Sequence, residues 1–199
     1  FHPVKHICAG EGGAVLTNNA EFAQRASQLR SHGINRPFSD GDETPWYYEQ
    51  ETLGWNYRLT DLQAALGLSQ LKRLEQFLEK RRLLAKRYDQ ILGQSPFKEH
   101  INCPPFEHGH AWHLYIIRFI DHNLRNQAYK FFKSRNILTQ IHYIPVYRHP
   151  YYQKNLKNFR LPGAEAFYQS CLSIPMYPDL NKNEQDRVLE TLENFLTKG

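Results

Sequence analysis

The chain has 199 residues, enough for one sizeable core or two small lobes. Its 41% hydrophobic and 23% charged residues exclude a disordered or low-complexity chain. The net charge of +5 raises nucleic acid as a partner, but the residues around the positive charge argue against it.

The densest basic run is Lys72, Arg73, Lys80, Arg81, Arg82, Lys86 and Arg87. It is interleaved at helical spacing with Leu71, Leu74, Phe77, Leu78, Leu84, Tyr88 and Ile91. That pattern predicts the solvated face of an amphipathic helix whose aromatics are committed to packing, so no nucleic acid is expected as a partner. No apolar run approaches the roughly 20 residues that span a bilayer, and no charged-then-apolar leader is present, so no membrane partner is expected either. Cys8, Cys103 and Cys171 are sparse and unpaired in spacing. They read as reduced thiols of a cytoplasmic protein.

In chain order, Phe1-His2-Pro3-Val4-Lys5 precedes Gly10, Gly12 and Gly13. Pro3 stiffens the approach to Lys5, and the glycines admit backbone conformations and close approaches that a Cβ forbids. A lysine amine held in this way can add to an aldehyde as a covalent catalyst. By composition alone the plainer reading, an exposed lysine before a Gly-rich hairpin, is the preferred one. Gly13 to Thr17 predicts a short strand, and Asn19 caps a helix to about Ser31 with Gly33 as terminator. Asn35 to Trp55, with Pro37, Pro45, Trp46, Tyr47 and Tyr48, reads as a long loop.

Thr60 and Gln63 form a capping box that opens a helical region to about Leu92, with Gly67 as a candidate break. Gly93 to Gly109 reads as irregular and as a lobe boundary. His113 to Phe119 predicts a strand, and Asn123 caps a helix bearing Leu124, Ala128, Phe131 and Phe132. Leu138 to Ile144 predicts another strand, Gly163 to about Cys171 a short helix, and Ser173 to Pro175 an extended piece. Asn181 and Glu184 make a second capping box for a last helix. Strands with helices between them suggest an α/β lobe.

Two further stretches bear on chemistry. Gly54-Trp55-Asn56-Tyr57-Arg58 enters a capped helix, where side-chain amides and free backbone N–H groups can meet an anion. The plain alternative is that Asn56 and Arg58 tie the loop to the helix start. In Gln140-Ile141-His142-Tyr143-Ile144-Pro145, strand alternation puts Gln140 and His142 on one face and Ile141 and Tyr143 on the other. A satisfied strand-end histidine is the plain reading there. His108, His110 and His113 lack the geometry and companions of a metal site, so a structural role and no metal are expected.

The lysine segment, with Gly10-Glu11-Gly12-Gly13-Ala14-Val15, resembles that of the DegT/DnrJ/EryC1/StrS family of sugar aminotransferases. The Gly-aromatic-Asn-Tyr-Arg segment and His142-Tyr143-x-Pro145 resemble further segments of the same family. The family usually has Ser or Thr where this chain has Cys8-Ala9, and many members have histidine where Tyr147 stands.

The resemblance implies the C-terminal part of an aspartate-aminotransferase-type α/β fold that depends on pyridoxal 5'-phosphate. Residues 1–92 would be the end of the large domain plus connecting helices, and 93–199 the small domain. It implies that Lys5 carries the cofactor and that Asn56 reaches the cofactor phosphate of the other subunit of a homodimer. Arg58, His142 and Tyr143 become candidate substrate contacts. L-glutamate as donor and a 4-keto-6-deoxy UDP-sugar as acceptor follow from the same likeness. The groups the family carries ahead of its lysine segment would be needed for turnover, so residues 1–199 alone are expected to be inactive. The alternative is a non-catalytic module for oligomerisation or binding.

Overall fold

The computed structural model describes residues 1–36 and 44–198; Pro37 of the expected long loop lies outside them. The chain divides into two compact units, Phe1–Leu74 and Glu75–Gly199.

In the first unit, α1 (Ala20–Leu29) starts where Asn19 Oδ1 accepts from Phe22 N–H at 2.9 Å. Its end is a sharp turn in which Gly33, at φ +71°, returns its N–H to Gln28 O at 3.0 Å. A Cβ on Gly33 would stand 2.0 Å from Thr52 O. The following stretch forms a two-strand ribbon, β1 (Ile34–Asn35) antiparallel to β2 (Glu49–Gln50). The capping box is present at α2 (Asp61–Leu71), with Gln63 N–H on Thr60 Oγ1 at 3.3 Å and Thr60 N–H on Gln63 Oε1 at 3.2 Å.

Two expectations fail in this unit. Gly67 does not break the helix; the interruption comes after α2, at Lys72 and Arg73. Gly13 to Thr17 forms no strand and is exposed throughout, Leu16 at 93%. An extended segment gains ladder hydrogen bonds only from a neighbour, and no described residue provides one.

The second unit opens with α3 (Leu74–Leu92), which buries Arg81, Ala85, Tyr88 and Leu92. Its buried face belongs to the core that follows. That core is a three-stranded antiparallel sheet in the order β3 (Ile101–Asn102), β4 (Tyr115–Phe119), β5 (Cys171–Ile174). In register, Tyr115 faces Ile174 and Arg118 faces Cys171 across β4 and β5, and Ile101 faces Phe119 across β3 and β4.

The helix α4 (His122–Ser134) packs on β4 and β5, with α6 (Pro162–Ser170) and α7 (Lys182–Lys198) against it. Ala128, Phe132, Leu172, Leu192 and Phe195 meet in the core. A single turn, α5 (Pro150–Gln153), lies between.

Asp121, not Asn123, caps α4, its Oδ1 accepting from Asn123 N–H at 2.9 Å. Asn123 stands two residues too late, already inside the helix, where its N–H is one of the free groups that the Asp121 carboxylate accepts from. The box at α7 holds, with Glu184 N–H on Asn181 Oδ1 at 3.0 Å and Asn181 N–H on Glu184 Oε2 at 2.9 Å. Of the strand expected over Leu138 to Ile144, only Gln140 joins the sheet, in one bridge to Ser173. Within the stretch expected to be irregular, Phe97–Glu99 forms a 3-10 turn and β3 pairs with β4.

Candidate active site

The lysine loop is built by its small residues. Lys5 N–H closes a turn on His2 O at 3.0 Å, and Ala9 N–H returns to Phe1 O at 3.0 Å. Ala9 is buried at 1% exposure. Its neighbour is Gly67 on α2, whose would-be Cβ lies 3.5 Å from Ala9 Cβ. Gly12, at φ +121°, leaves room for Leu59, where a Cβ would come within 2.8 Å of Leu59 Cδ1. The loop is therefore seated against α2 and against the segment that carries Asn56 and Arg58. Lys5 itself is exposed, and among the described residues its amine has no hydrogen-bond or ion-pair partner.

Asn56 sits on a run that lies along the end of α1. Trp55 N–H donates to Leu29 O at 2.7 Å, His32 N–H to Trp55 O at 2.9 Å and Tyr57 N–H to Arg30 O at 2.9 Å. Gly54 permits the approach, since a Cβ there would stand 2.2 Å from Gly33 N. Three backbone hydrogen bonds thus orient Asn56, whose exposed side-chain amide takes no partner among the described residues.

Arg58 points elsewhere. Its Nη2 lies 3.5 Å from His32 Nε2, and it lines an open cleft of about 890 Å³ with Arg25, Gln28 and Glu51. Glu51 accepts from Gln28 at 2.7 Å and from Asn35 at 2.9 Å. Those two hydrogen bonds, Asn35 first, hold its carboxyl below the ordinary value. Nothing in the spacing of Arg25, Gln28 and Glu51 marks this cluster, because the turn after α1 assembles it.

His142 and Tyr143 belong to the second unit. His142 is half-buried, with Nδ1 2.7 Å from Ser173 Oγ. Tyr143 is exposed, with its ring edge-on to His142 at 4.5 Å between centroids. Burial does not alternate as a strand would require: Gln140 and Tyr143 are exposed, Ile141 and His142 half-buried. Tyr147 is buried, and its hydroxyl donates to Glu165 Oε1 at 3.0 Å while accepting from Leu161 N–H at 3.3 Å. Arg148 grips the same carboxylate through two nitrogens and lies over the Tyr168 ring. The tyrosine at this position fastens the 145–149 turn to α6.

His110 also has a structural use, accepting from Trp112 N–H at 2.9 Å with its ring 4.4 Å from the indole. Among the described residues no group of three metal-ligating side chains converges, and no helix is long and apolar enough to cross a membrane.

Comparison with known proteins places this arrangement. Residues 1–193 match the model of the DegT/DnrJ/EryC1/StrS aminotransferase family. The spore coat polysaccharide biosynthesis protein SpsC of Bacillus subtilis is 37% identical over 98% of this chain and 52% of its own length. Helicobacter pylori PseC, an aminotransferase involved in the biosynthesis of pseudaminic acid, superposes with a TM-score of 0.89 at 30% identity, over 100% of this chain and 52% of that one. The sugar aminotransferase Spr1654 of Streptococcus pneumoniae, in its PLP form, superposes with a TM-score of 0.82 at 26% identity, over 100% of this chain and 50% of that one. The chain thus spans about half the length of the relatives it matches. With the lysine loop, the asparagine run and the α/β lobe all in the matched region, the chain belongs to the DegT/DnrJ/EryC1/StrS aminotransferase family.

Proposed function

We propose that this chain supplies the lysine-bearing part of an enzyme that moves an amino group from L-glutamate to a 4-keto-6-deoxy UDP-sugar. The observation that carries this reading is Lys5: exposed, unpaired among the described residues, and held on a loop seated by Ala9 and Gly12. Aminotransferases of this family work with pyridoxal 5'-phosphate. The residues present fit it, since an available amine suits its aldehyde and the unpartnered Asn56 amide suits its phosphate. When bound, that cofactor supplies the electron sink for chemistry at the donor's Cα.

In this reading Lys5 Nζ holds the cofactor's aldehyde carbon. As a free amine it accepts and returns the proton at the donor's Cα. Asn56 donates from its side-chain amide to a phosphate oxygen held by the second subunit of a homodimer. Arg58, His142 and Tyr143 contact the sugar nucleotide. Residues 1–92 act as the end of the cofactor-binding domain with its connecting helices, and 93–199 as the small domain. The three cysteines are free thiols, in keeping with a cytoplasmic protein. A pseudaminic-acid type of sugar is supported by the likeness to PseC. It is also supported by Pro45-Trp46-Tyr47-Tyr48-Glu49 and His142-Tyr143-Ile144-Pro145-Val146, which resemble the corresponding transaminase segments.

The test is to load the protein with pyridoxal phosphate, reduce with borohydride and map the labelled peptide. The reading expects the adduct on Lys5. An adduct on Lys80 or another lysine with Lys5 unlabelled contradicts it.

A further inference from the structure

The second unit carries a groove between α4 and α7 that the proposed chemistry does not use. Phe131 and Phe195 form its floor, with ring centroids 5.6 Å apart. One turn further along α4, Arg135 O accepts from Arg187 Nη2 at 2.5 Å. Since Arg187 precedes Phe195 on α7, the two helices run antiparallel there. The groove follows Gln127, Lys130, Phe131 and Ser134, which share one face of α4 at helical spacing. It encloses about 730 Å³ and is open to solvent.

The charge on this groove has one sign. No aspartate or glutamate occurs within α4. Lys130 and Arg135 line the groove, and among the described residues neither has a carboxylate partner. Arg187 adds a third exposed cation at the Arg135 end. Glu190 and Glu193 of α7 do not line the groove, and among the described residues they pair with none of the three. The Arg135 guanidinium lies 4.7 Å from the Phe131 ring centroid. Its stem therefore extends the apolar floor while its N–H groups remain for an anion.

An apolar floor between two helices suits the apolar stripe of a third, and unpaired cations along its edge select carboxylates. Nucleic acid fits less well. Stacked bases need open ring faces, and Arg135 already lies over Phe131. Three cations are also few for tracking a phosphate backbone. We propose that this groove docks an acidic amphipathic helix of a partner protein. Its apolar stripe would lie on Phe131 and Phe195, and its carboxylates would meet Lys130, Arg135 and Arg187. The surface lies wholly within Glu75–Gly199 and is independent of the role of Lys5.

The experiment is amide NMR of the full chain titrated with a synthetic helical peptide of leucine, alanine and glutamate, its leucines placed on one face. A control peptide carries lysine in place of every glutamate. Saturable shifts confined to residues 127–135 and 187–195 are expected with the acidic peptide and none with the control. Lys130→Glu combined with Arg135→Glu should weaken the acidic peptide at least about tenfold and admit the lysine peptide instead. Both side chains are exposed, and amide spectra show whether the double variant keeps its fold; if it does not, the wild type's choice between the two peptides decides alone. The absence of saturable shifts in the groove overturns the proposal, as does equal binding of both peptides. Unchanged affinity in the folded double variant overturns it as well. So does a single-stranded oligothymidylate that shifts the groove where the acidic peptide does not, which would make this face a nucleic-acid surface.

Discussion

At the scale of single residues, the side chain least expected from the sequence is Arg81. It stands in a row of basic residues that reads as a solvated helix face, yet it is 5% exposed. Its Nη1 donates to Trp112 O at 3.0 Å, His113 O at 3.2 Å and Met176 O at 2.9 Å. Burial pushes its pKa down, and the three carbonyls at Nη1 replace part of the lost water, while Nε has no hydrogen-bond partner among the described residues. Arg81→Met keeps the stem and strands those acceptors, and should cost about 2–4 kcal/mol in urea unfolding; a loss within error would show that the carbonyls find other donors. Glu165 supplies a pH-dependent counterpart. Hydrogen bonds from Arg148 hold its carboxyl below the ordinary 4.5, burial opposes them and Tyr147 adds to them. A carboxyl depressed in the folded state stabilises above its unfolded value and loses that contribution as pH falls through the folded one. Acidification below 4.5 should therefore release the 147–149 turn from α6, seen as faster proteolysis within 150–161. Arg148→Gln should blunt that acid response; an equal response in both proteins would assign it elsewhere.

At the scale of elements, caps other than that of α4 were legible and pairing was not. Asn19, the Thr60–Gln63 box and the Asn181–Glu184 box all depend on atoms within a few residues, and each stands where its residues predict it. Gly13 to Thr17 and Leu138 to Ile144 have strand-like composition, but a strand depends on a partner that the local sequence does not name. Candidate site residues divide in the same way. The Lys5 loop could be read as a Gly-rich turn, whereas Ser173 behind His142 and Glu51 near Arg58 are brought in from distant positions. Two glycines test the seating of the lysine loop. Gly67 lies inside α2 with ordinary contact distance to Ala9. Gly67→Ala should therefore raise stability by about 0.5–1 kcal/mol through helix propensity. Gly12→Ala meets Leu59 at 2.8 Å in a backbone conformation unsuited to alanine. It should unseat the loop and slow cofactor labelling at Lys5 while leaving the Glu75–Gly199 core folded. Labelling at the wild-type rate would show that Leu59 is not what holds the loop.

At the scale of the whole molecule, the two units differ in how much they bury. The second has a continuous core from Tyr88 and Tyr115 through Phe132 to Leu192. In the first, Ala9 and Gly33 are the only buried residues among those described, while Leu62 is 86% exposed. Amide exchange should consequently be slow across β4, β5 and α7 and fast over residues 1–60, whose helix and turns have little apolar cover. Protection of equal strength in both units would contradict that ranking. The same contrast bears on activity. Positioning of reacting groups is worth roughly 7–11 kcal/mol, and this chain spans about half the length of its relatives. Among the described residues Lys5 is exposed, without neighbours that would fix a reacting carbon over its amine. The decisive measurement is 2-oxoglutarate formed from L-glutamate in the presence of pyridoxal phosphate and the 4-keto UDP-sugar. It compares residues 1–199 alone with the same chain supplied with the remaining half of a relative such as SpsC. The account predicts turnover only in the second case, abolished by Lys5→Ala; turnover by the chain alone at an intact enzyme's rate, or turnover that survives Lys5→Ala, would contradict it.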